Sequence, residues 1–268
     1  MPACEPLDPV LLRRRLEDVT LWTDLSWTPT TGSTNADLAA LAHHRDADGT
    51  VRVSEEQTAG RGRFDRRWET PSGASLAFSL LLRPHREPLA WGWLSLLAGM
   101  AVATAVERAT HAAPGRVELK WPNDVLVDGR KVCGILSERI EAAPEGSRPA
   151  AVVGIGINFS LDADELPVPT ATSLSLAGLE ATKNEVMAEL LREFARLYTL
   201  WDRGDSLRED YRERCASIGS PLCVMVDEHT TVLGTGVGVD EYGRLEVRTP
   251  QGHQTFSAGD VFHLRLQG

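Results

Sequence analysis

Residues 88–106 form an uncharged stretch of 19 positions in the middle of the chain, and the rest of the fold has to accommodate it. Its length is close to what a helix needs to cross a membrane. The stretch also contains five alanines, two glycines, Ser95 and Thr104, and polar segments flank it on both sides. A helix of this composition is more typical of a protein core than of a bilayer. We therefore predict a buried helix over residues 91–108 and no contact with a membrane.

The segments around this helix alternate between strand-like and helix-like patterns. Apolar runs bounded by turn residues predict strands at 21–28, 51–56, 75–83, 117–121, 125–127, 131–140 and 151–159. Amphipathic spacing predicts helices at 7–19, 33–43, 185–203 and 207–214. Five short β-rich runs follow residue 219 and indicate a small barrel. We therefore predict an α+β domain over residues 1–218 and a small β domain over residues 219–268.

The charge balance argues against a protein that binds nucleic acid over its whole surface. The chain has 28 basic and 38 acidic residues and a net charge of −10, so most of it would repel a phosphate backbone. Only three of the basic residues are lysines, namely Lys120, Lys131 and Lys183. A lysine kept against this bias towards arginine is a candidate for a specific role. Lys183 lies outside every motif described below, and Lys183→Arg is expected to be nearly silent.

The four cysteines predict free thiols rather than disulfides or a metal site. Cys4, Cys133, Cys215 and Cys223 form no CxxC pair and no Cys/His cluster with the spacing of metal ligands. Buried free thiols are typical of a reducing compartment. The N-terminus also lacks a charged-then-apolar signal. We therefore predict a cytoplasmic protein whose side chains form no metal site.

Residues 57–68, QTAGRGRFDRRW, concentrate positive charge within this acidic chain. Four arginines stand against one aspartate. Gly60 and Gly62 let the backbone approach a ligand closely, and guanidinium groups match the oxygens of carboxylates and phosphates. The pattern indicates an anion-binding loop. A solvated arginine loop or a nucleic-acid contact stays open as an alternative, although no repeat or interleaved aromatic residue supports the latter.

Two lysines lie close to one predicted hairpin. KWPNDV (120–125) ends a strand with Lys120 and then presents Asn123 and Asp124. KVCGILSE (131–138) begins the next strand with Lys131, after an Asp-Gly pair at 128–129 that predicts a tight turn. A partly desolvated lysine at a strand end can bridge two anions. Two exposed strand-end lysines are the alternative.

The segment GIGIN (154–158) is not a dinucleotide-binding fingerprint, because it lacks the third glycine and a following helix signal. We interpret it as a glycine-containing core strand that ends at Asn158, whose buried amide needs a partner. The sequence contains no GxSxG, HExxH or Walker A motif, so nothing indicates a covalent enzyme intermediate.

Five segments, in this order and spacing, resemble the motif series of the biotin–protein ligases. They are GSTN (32–35), QTAGRGRFDRRW (57–68), KWPNDV (120–125), KVCGILSE (131–138) and GIGIN (154–158). The resemblance implies a mixed β-sheet flanked by helices, followed by an SH3-like small β-barrel. It also implies a two-step reaction that uses ATP and Mg²⁺. Biotin is first activated to biotinoyl-AMP, with release of pyrophosphate, and is then transferred to a lysine of a biotin carboxyl carrier domain, with release of AMP.

The resemblance further implies which residues form the site. The residues expected to be catalytic are Lys131, Arg63 and Asp124, of which Asp124 would orient or deprotonate the incoming amine. Biotin contacts are expected from Ser33, Thr34, Asn35, Gln57, Gly60, Arg61, Gly62, Arg63, Lys131 and Gly134. ATP or adenylate contacts are expected from Arg66, Trp68, Lys120, Asn123, Lys131 and Asn158. In this set the Trp68 indole would stack on the adenine.

The sequence departs from the family pattern in ways that affect the expectations. Asp65 stands where family loops usually carry glycine and places a negative charge near the phosphates. Only 31 residues precede GSTN, whereas repressor-type members carry a winged helix-turn-helix of roughly 60 residues there. We therefore expect the single-function type, a monomer or homodimer without specific DNA binding. The alternatives are a lipoate–protein ligase or octanoyl transferase of the same superfamily and a non-enzymatic biotin-sensing regulator.

Overall fold

A computed structural model describes residues 7–64, 66–68, 71–141, 148–227 and 229–263. The α-helices in this part of the chain are α1 Pro9–Arg15, α2 Thr34–Leu41, α3 Trp93–Thr110, α4 Lys183–Asp202 and α5 Arg208–Arg212. The first seven strands are β1 Asp24–Thr31, β2 Thr50–Gln57, β3 Ser75–Leu82, β4 Val117–Lys120, β5 Asp124–Val127, β6 Arg130–Ile140 and β7 Ala150–Asn158. The remaining strands are β8 Pro221–Met225, β9 Thr231–Val239, β10 Leu245–Thr249, β11 Gly252–Phe256 and β12 Asp260–His263.

The first seven strands form one mixed sheet in the order β1-β2-β3-β7-β6-β5-β4. Only β1 and β2 are parallel, and the other neighbours are antiparallel. The predicted mixed sheet is thus confirmed, but the predicted bounds of β1 were wrong. The strand continues through Pro29 to Thr31 rather than ending at residue 28. Proline is tolerated there because β1 is an edge strand, where a missing backbone N–H breaks no ladder.

Helices cover both faces of this sheet. All eight residues of β3 are buried. Helix α2 packs over one face of the sheet, and α3 packs over the other face, where α4 packs on α3 as a further layer of the same core. The segment Pro88–Thr110 is long and apolar enough to cross a membrane, but 78% of its most apolar window is buried inside the fold. The predicted core helix is therefore confirmed.

One glycine inside α3 leads to a stability prediction. A Cβ added at Gly99 would lie 3.4 Å from Leu119 Cδ2 and 3.7 Å from Ile135 Cδ1, which are ordinary contacts. Gly99→Ala is therefore expected to raise the free energy of unfolding by about 0.5–1 kcal/mol, since glycine in a helix interior carries an entropic cost. Urea unfolding of both proteins measures this difference. A loss of stability would show that the neighbouring side chains cannot accommodate the methyl group.

The C-terminal strands form a separate antiparallel sheet in the order β11-β10-β9-β8-β12. The Trp93 indole donates to the Asp240 carbonyl at 3.2 Å and the Trp121 indole to the Gly243 carbonyl at 3.0 Å, which ties this sheet to the larger part. Over the described ranges β11 and β12 do not pair. Closure into an SH3-like barrel and the boundary between residues 218 and 219 therefore stay predictions. The last of the five β-rich runs predicted from the sequence covers residues 261–266, and its part beyond residue 263 lies outside the described residues.

Lys183, at the start of α4, is a buried lysine. Its side chain is 2% exposed, its Nζ donates to the Gly73 carbonyl at 2.7 Å, and it pairs with Glu55 at 3.4 Å. The expectation that Lys183→Arg is nearly silent stays a prediction, but exchanging a buried, paired ammonium for a planar guanidinium can disturb the packing and lower stability. This position therefore cannot serve as a control for Lys131.

Candidate functional site

A cavity of about 460 Å³ lies between the start of α2, the hairpin that follows β2, strands β5 to β7, and β12 of the small sheet. This volume is typical of a small-molecule site. The cavity brings together nearly all the residues that the sequence selected. These are Ser33, Thr34, Asn35, Gln57, Arg61, Gly62, Arg63, Arg66, Trp68, Lys120, Asn123, Asp124, Lys131, Gly134 and Asn158.

Gly60 is the exception among the predicted site residues, because it does not line the cavity. Its carbonyl accepts the Trp68 N–H at 2.9 Å, and the Gly62 N–H donates to the Arg66 carbonyl at 2.6 Å, so the arginine-rich segment forms a tight hairpin. A Cβ on Gly60 would lie 2.3 Å from the Trp68 carbonyl oxygen. Gly60 thus has a structural role in the hairpin, and its predicted contact with biotin stays a prediction. Asp65 lies outside the described residues.

Glycines on two neighbouring strands form the floor beneath Trp68. Gly134 on β6 is the direct cross-strand partner of Gly156 on β7. A Cβ would lie 2.9 Å from the indole at Gly134 and 2.5 Å from it at Gly156. The indole can lie against the sheet only because both side chains are absent.

The interpretation of GIGIN as a core strand describes only one face of β7. Ile155 and Ile157 belong to the hydrophobic core, but Gly154 and Gly156, on the other face, line the cavity. The strict alternation of glycine and isoleucine was the signal for a strand with one apolar face and one open face. Sequence reasoning missed these two glycines as site residues.

Lys131 is held from several sides at the start of β6. Its Nζ lies 2.6 Å from Asp124 Oδ1. Its backbone N–H donates to the Thr170 carbonyl at 2.9 Å, and its carbonyl accepts the Thr172 N–H at 2.8 Å. Its side chain is 31% exposed, so the alternative of a freely exposed strand-end lysine was wrong. Asp124 here positions the ammonium group, and its role towards an incoming amine stays a prediction.

The hairpin between β5 and β6 explains why Lys131 and Asp124 meet. Asp128 and Gly129 have φ values of 50° and 74°, the left-handed conformations of a tight hairpin turn. The turn pairs β5 with β6 and brings Asp124 of KWPNDV and Lys131 of KVCGILSE to the same edge of the cavity. The predicted Asp-Gly turn is therefore confirmed.

Four basic residues, Arg63, Arg66, Lys120 and Lys131, form one side of the cavity, the cationic wall. The small sheet contacts two of them. Arg63 Nη1 donates to Asn123 Oδ1 and to the Gly259 carbonyl, both at 3.2 Å. Arg66 forms an ion pair with Asp260. Sequence reasoning missed Gly259 and Asp260, because no sequence feature at the start of β12 indicates that these residues contact the arginine-rich hairpin.

Burial changes the acid–base properties of two basic groups in this wall. Burial lowers the pKa of Arg63, but a guanidinium stays protonated at any accessible pH. Burial also lowers the pKa of Lys120, against the opposing influence of Asp124 and with a further small decrease from Lys131. Lys120 therefore loses its charge at a lower pH than an ordinary lysine side chain does.

Two buried polar atoms of residues that line the cavity have neither a hydrogen-bond nor an ion-pair partner within the described part of the chain. They are Asn158 Oδ1 and Trp68 Nε1, whereas Asp124 Oδ1, which also forms no hydrogen bond, is ion-paired with Lys131. Asn158 Nδ2 is already used, because it donates to the Thr172 carbonyl at 3.0 Å. A buried acceptor and a buried donor left free beside a cavity indicate that a polar ligand satisfies them.

Comparison with known proteins agrees with this geometry. The sequence profile of the Biotin/lipoate A/B protein ligase family matches residues 27–158, and that of the Biotin protein ligase C terminal domain matches residues 223–264. The biotin--[acetyl-CoA-carboxylase] ligase of Mycobacterium tuberculosis is 40% identical over 97% of this chain and 98% of the relative. The bifunctional ligase/repressor BirA of Escherichia coli is 30% identical over 74% of this chain and 61% of that protein.

Solved structures show the same fold. The biotin protein ligase from Aquifex aeolicus in complex with biotin and ATP superposes with a TM-score of 0.73 and 26% identity, covering 91% of this chain and 100% of the other. The predicted architecture of a mixed sheet with a small C-terminal β domain is thus confirmed. Since the profiles, the relatives and the cavity residues agree, the chain belongs to the biotin protein ligase family.

Proposed function

We propose that this chain activates biotin with ATP and then transfers it to a lysine of a biotin carboxyl carrier domain. In the first step the biotin carboxylate attacks the α-phosphate of ATP, which gives biotinoyl-AMP and releases pyrophosphate. In the second step the lysine amine attacks the acyl carbon, and AMP leaves. The observation that carries the proposal is the cluster of Arg63, Arg66, Lys120 and Lys131 around one cavity of a chain with net charge −10.

The main obstacle of the first step is repulsion between the biotin carboxylate and the triphosphate of ATP. The basic residues of the cavity can reduce this repulsion. Arg63 and Lys120 place positive charge in a partly desolvated wall, where it acts more strongly than in water. The Asp124 carboxylate holds the Lys131 ammonium in one position, and a compact ammonium can contact both anions at once. Charge neutralisation and alignment of this kind account for the rate without a covalent enzyme intermediate.

Mg²⁺ is expected to accompany ATP, but the protein supplies few ligands for it. The described residues contain no cluster of three or more His, Cys, Asp or Glu side chains that could hold a metal ion. The two carboxylates that line the cavity are already paired, Asp124 with Lys131 and Asp260 with Arg66. The ion would therefore be bound chiefly by phosphate oxygens and water, and its contribution would be to neutralise phosphate charge.

The cysteines argue against the transferase alternative. A thioester-using octanoyl transferase would need a nucleophilic cysteine, or an activated lysine, and no ATP. Cys133 is buried, and burial raises the pKa of its thiol well above the ordinary value. Neither Cys133 nor Cys215 lines the cavity, and Cys223 is half-buried on β8. Cys4 lies outside the described residues.

Incorporation of labelled biotin into a purified carrier domain tests the proposal. Label should enter the carrier lysine only when ATP is present, and labelled lipoate should not be incorporated. Incorporation of lipoate alone, or of biotin without ATP, would contradict the proposal. A gel shift on a specific DNA about 1000-fold tighter than on random DNA would instead support the regulator. The proposal further includes a cytoplasmic location. It also includes a monomeric or homodimeric state, and sedimentation can distinguish the monomer from the homodimer.

The pKa of Lys120 leads to a prediction on pH dependence. If Lys120 binds phosphate, kcat/KM for ATP should fall as the pH rises through its lowered pKa, because the neutral amine attracts no anion. This decline should lie below pH 10.5, the ordinary value for lysine. Lys120→Arg keeps its charge and should shift the decline to higher pH. Identical alkaline limbs in pH profiles of both proteins would exclude Lys120 as the titrating group.

A further inference from the structure

A continuous chain of hydrogen bonds joins four of the residues expected to contact biotin. It runs through Arg61, Glu138, Asn35, Ser79, Thr34 and Gln57. Ser79 on β3 is 0% exposed, and Glu138 lies on β6, outside the cavity lining. The sequence motifs gave neither residue a role. Every link of this chain has a direction, because each group can donate or accept only in certain ways.

Glu138 sets the direction at one end. An ionised carboxylate can only accept hydrogen bonds. It accepts from Arg61 Nη2 at 3.0 Å and from Asn35 Nδ2 at 2.6 Å. The Leu136 carbonyl accepts from the same Nδ2 at 3.3 Å. The Asn35 amide must therefore turn its nitrogen towards β6 and its oxygen towards Ser79.

Ser79 links the orientation of the Asn35 amide to the orientation of the Thr34 hydroxyl, which lines the cavity. Its single hydroxyl proton is donated to Asn35 Oδ1 at 2.6 Å. The Ser79 oxygen can then only accept at its 2.7 Å contact with Thr34 Oγ1, so the Thr34 proton points towards Ser79 rather than towards Gln57 Oε1, which is farther away at 3.1 Å. Gln57 Oε1 accepts the Thr34 backbone N–H at 2.8 Å. Thr34 Oγ1, which has given up its own proton, has an acceptor lone pair left for a ligand.

We propose that Glu138 and Ser79 are positioning residues that fix the Thr34 hydroxyl as a hydrogen-bond acceptor for a ring N–H of biotin. The inference rests on the proposed function, since it assigns Glu138 and Ser79 a part in orienting a residue that this function brings into contact with biotin. The bicyclic ring of biotin carries two N–H donors in a cyclic urea. A threonine hydroxyl that was free to rotate could present either a proton or a lone pair to the ligand. The hydrogen bond from Thr34 to Ser79 leaves only the lone pair.

The dissociation constant of biotin, measured by calorimetry without ATP, tests this inference. Glu138→Gln should weaken binding about 10-fold, because a carboxamide must turn its NH₂ towards Asn35 or Arg61, which are both donors. The KM for ATP should change less than about 2-fold. Glu107→Gln is the matched control, since the Glu107 carboxylate is also 26% exposed and paired with an arginine, Arg214, but lies away from the cavity. It should leave biotin binding unchanged.

A double-mutant cycle separates the chain of hydrogen bonds from a general effect on the arginine hairpin. Ser79→Ala interrupts the chain, so Glu138→Gln should cost clearly less biotin affinity in that background, by about 3-fold or more. Ser79→Cys replaces Ser79→Ala if the latter does not fold. Additive losses, or equal losses of biotin and ATP affinity, would overturn the inference. If the unmodified protein fails to bind biotin, the proposed function fails with it. If it binds and Glu138→Gln binds equally well, only this inference fails.

Discussion

Replacing Lys131 with arginine is expected to slow pyrophosphate release from biotin and ATP on the order of 100-fold, although the charge is kept. The Lys131 ammonium lies 2.6 Å from Asp124 Oδ1 and 5.9 Å from the centre of the Trp68 ring. A Cβ on Gly134 would come within 3.2 Å of Lys131 Nζ, which shows how little space remains there. A planar guanidinium needs more room and would displace one anion from alignment by about 1 Å.

The control for this substitution is Arg130→Lys, on the neighbouring residue. Arg130 is exposed and does not line the cavity, so exchanging the same two residue types there should leave the rate nearly unchanged. Pyrophosphate release is measured without a carrier, so that only the first step contributes. If Lys131→Arg keeps more than about a third of the rate, the loss is below about 1 kcal/mol, and Lys131 does not bridge the two anions.

Gly156→Ala is expected to reduce kcat/KM for ATP on the order of 100-fold, with little change in thermal stability. The new Cβ would lie 2.5 Å from Trp68 Cε2 and 2.7 Å from Cζ2, so the indole must leave the floor of the cavity. Trp68 is expected to provide the flat face against the adenine, and a displaced ring cannot do so. Since alanine suits a strand at least as well as glycine, β7 itself should not be weakened.

Gly99→Ala provides the comparison for this effect, because its added Cβ would meet only ordinary contacts in α3. It should retain full activity. Steady-state kinetics with ATP varied at saturating biotin measures both variants. If Gly156→Ala keeps at least a third of the unmodified kcat/KM, the position of the Trp68 indole does not limit the reaction.

The fold could be predicted where burial leaves a local pattern. The apolar run at 75–83 and the uncharged stretch at 88–106 became β3 and α3, because their composition leaves few other ways to bury them. The strand ending at Thr31 was misplaced, because Pro29 is acceptable only at a sheet edge, and edge position is a property of the assembled sheet.

The residues of the candidate site could be selected where several segments match the family's motifs in order. Arg63, Lys131 and Asn158 line the same cavity although they are distant in sequence, and only the resemblance to a family placed them together. Asp260 and Glu138 escaped notice, because their roles depend on contacts with the arginine hairpin across 194 and 77 positions. Gly60 faces the backbone of its own hairpin rather than the cavity, and the sequence alone does not distinguish such a glycine from one that faces a ligand.

Formation of the mixed anhydride is the most direct test of the whole account. Purified protein is incubated with biotin, ATP and Mg²⁺ without any carrier, the reaction is quenched, and the products are identified by mass spectrometry. We predict biotinoyl-AMP and pyrophosphate in equal amounts, none from Lys131→Arg beyond a trace, and no adenylate when lipoate replaces biotin. Absence of biotinoyl-AMP from the unmodified protein, or an adenylate formed from lipoate and not from biotin, would contradict the account.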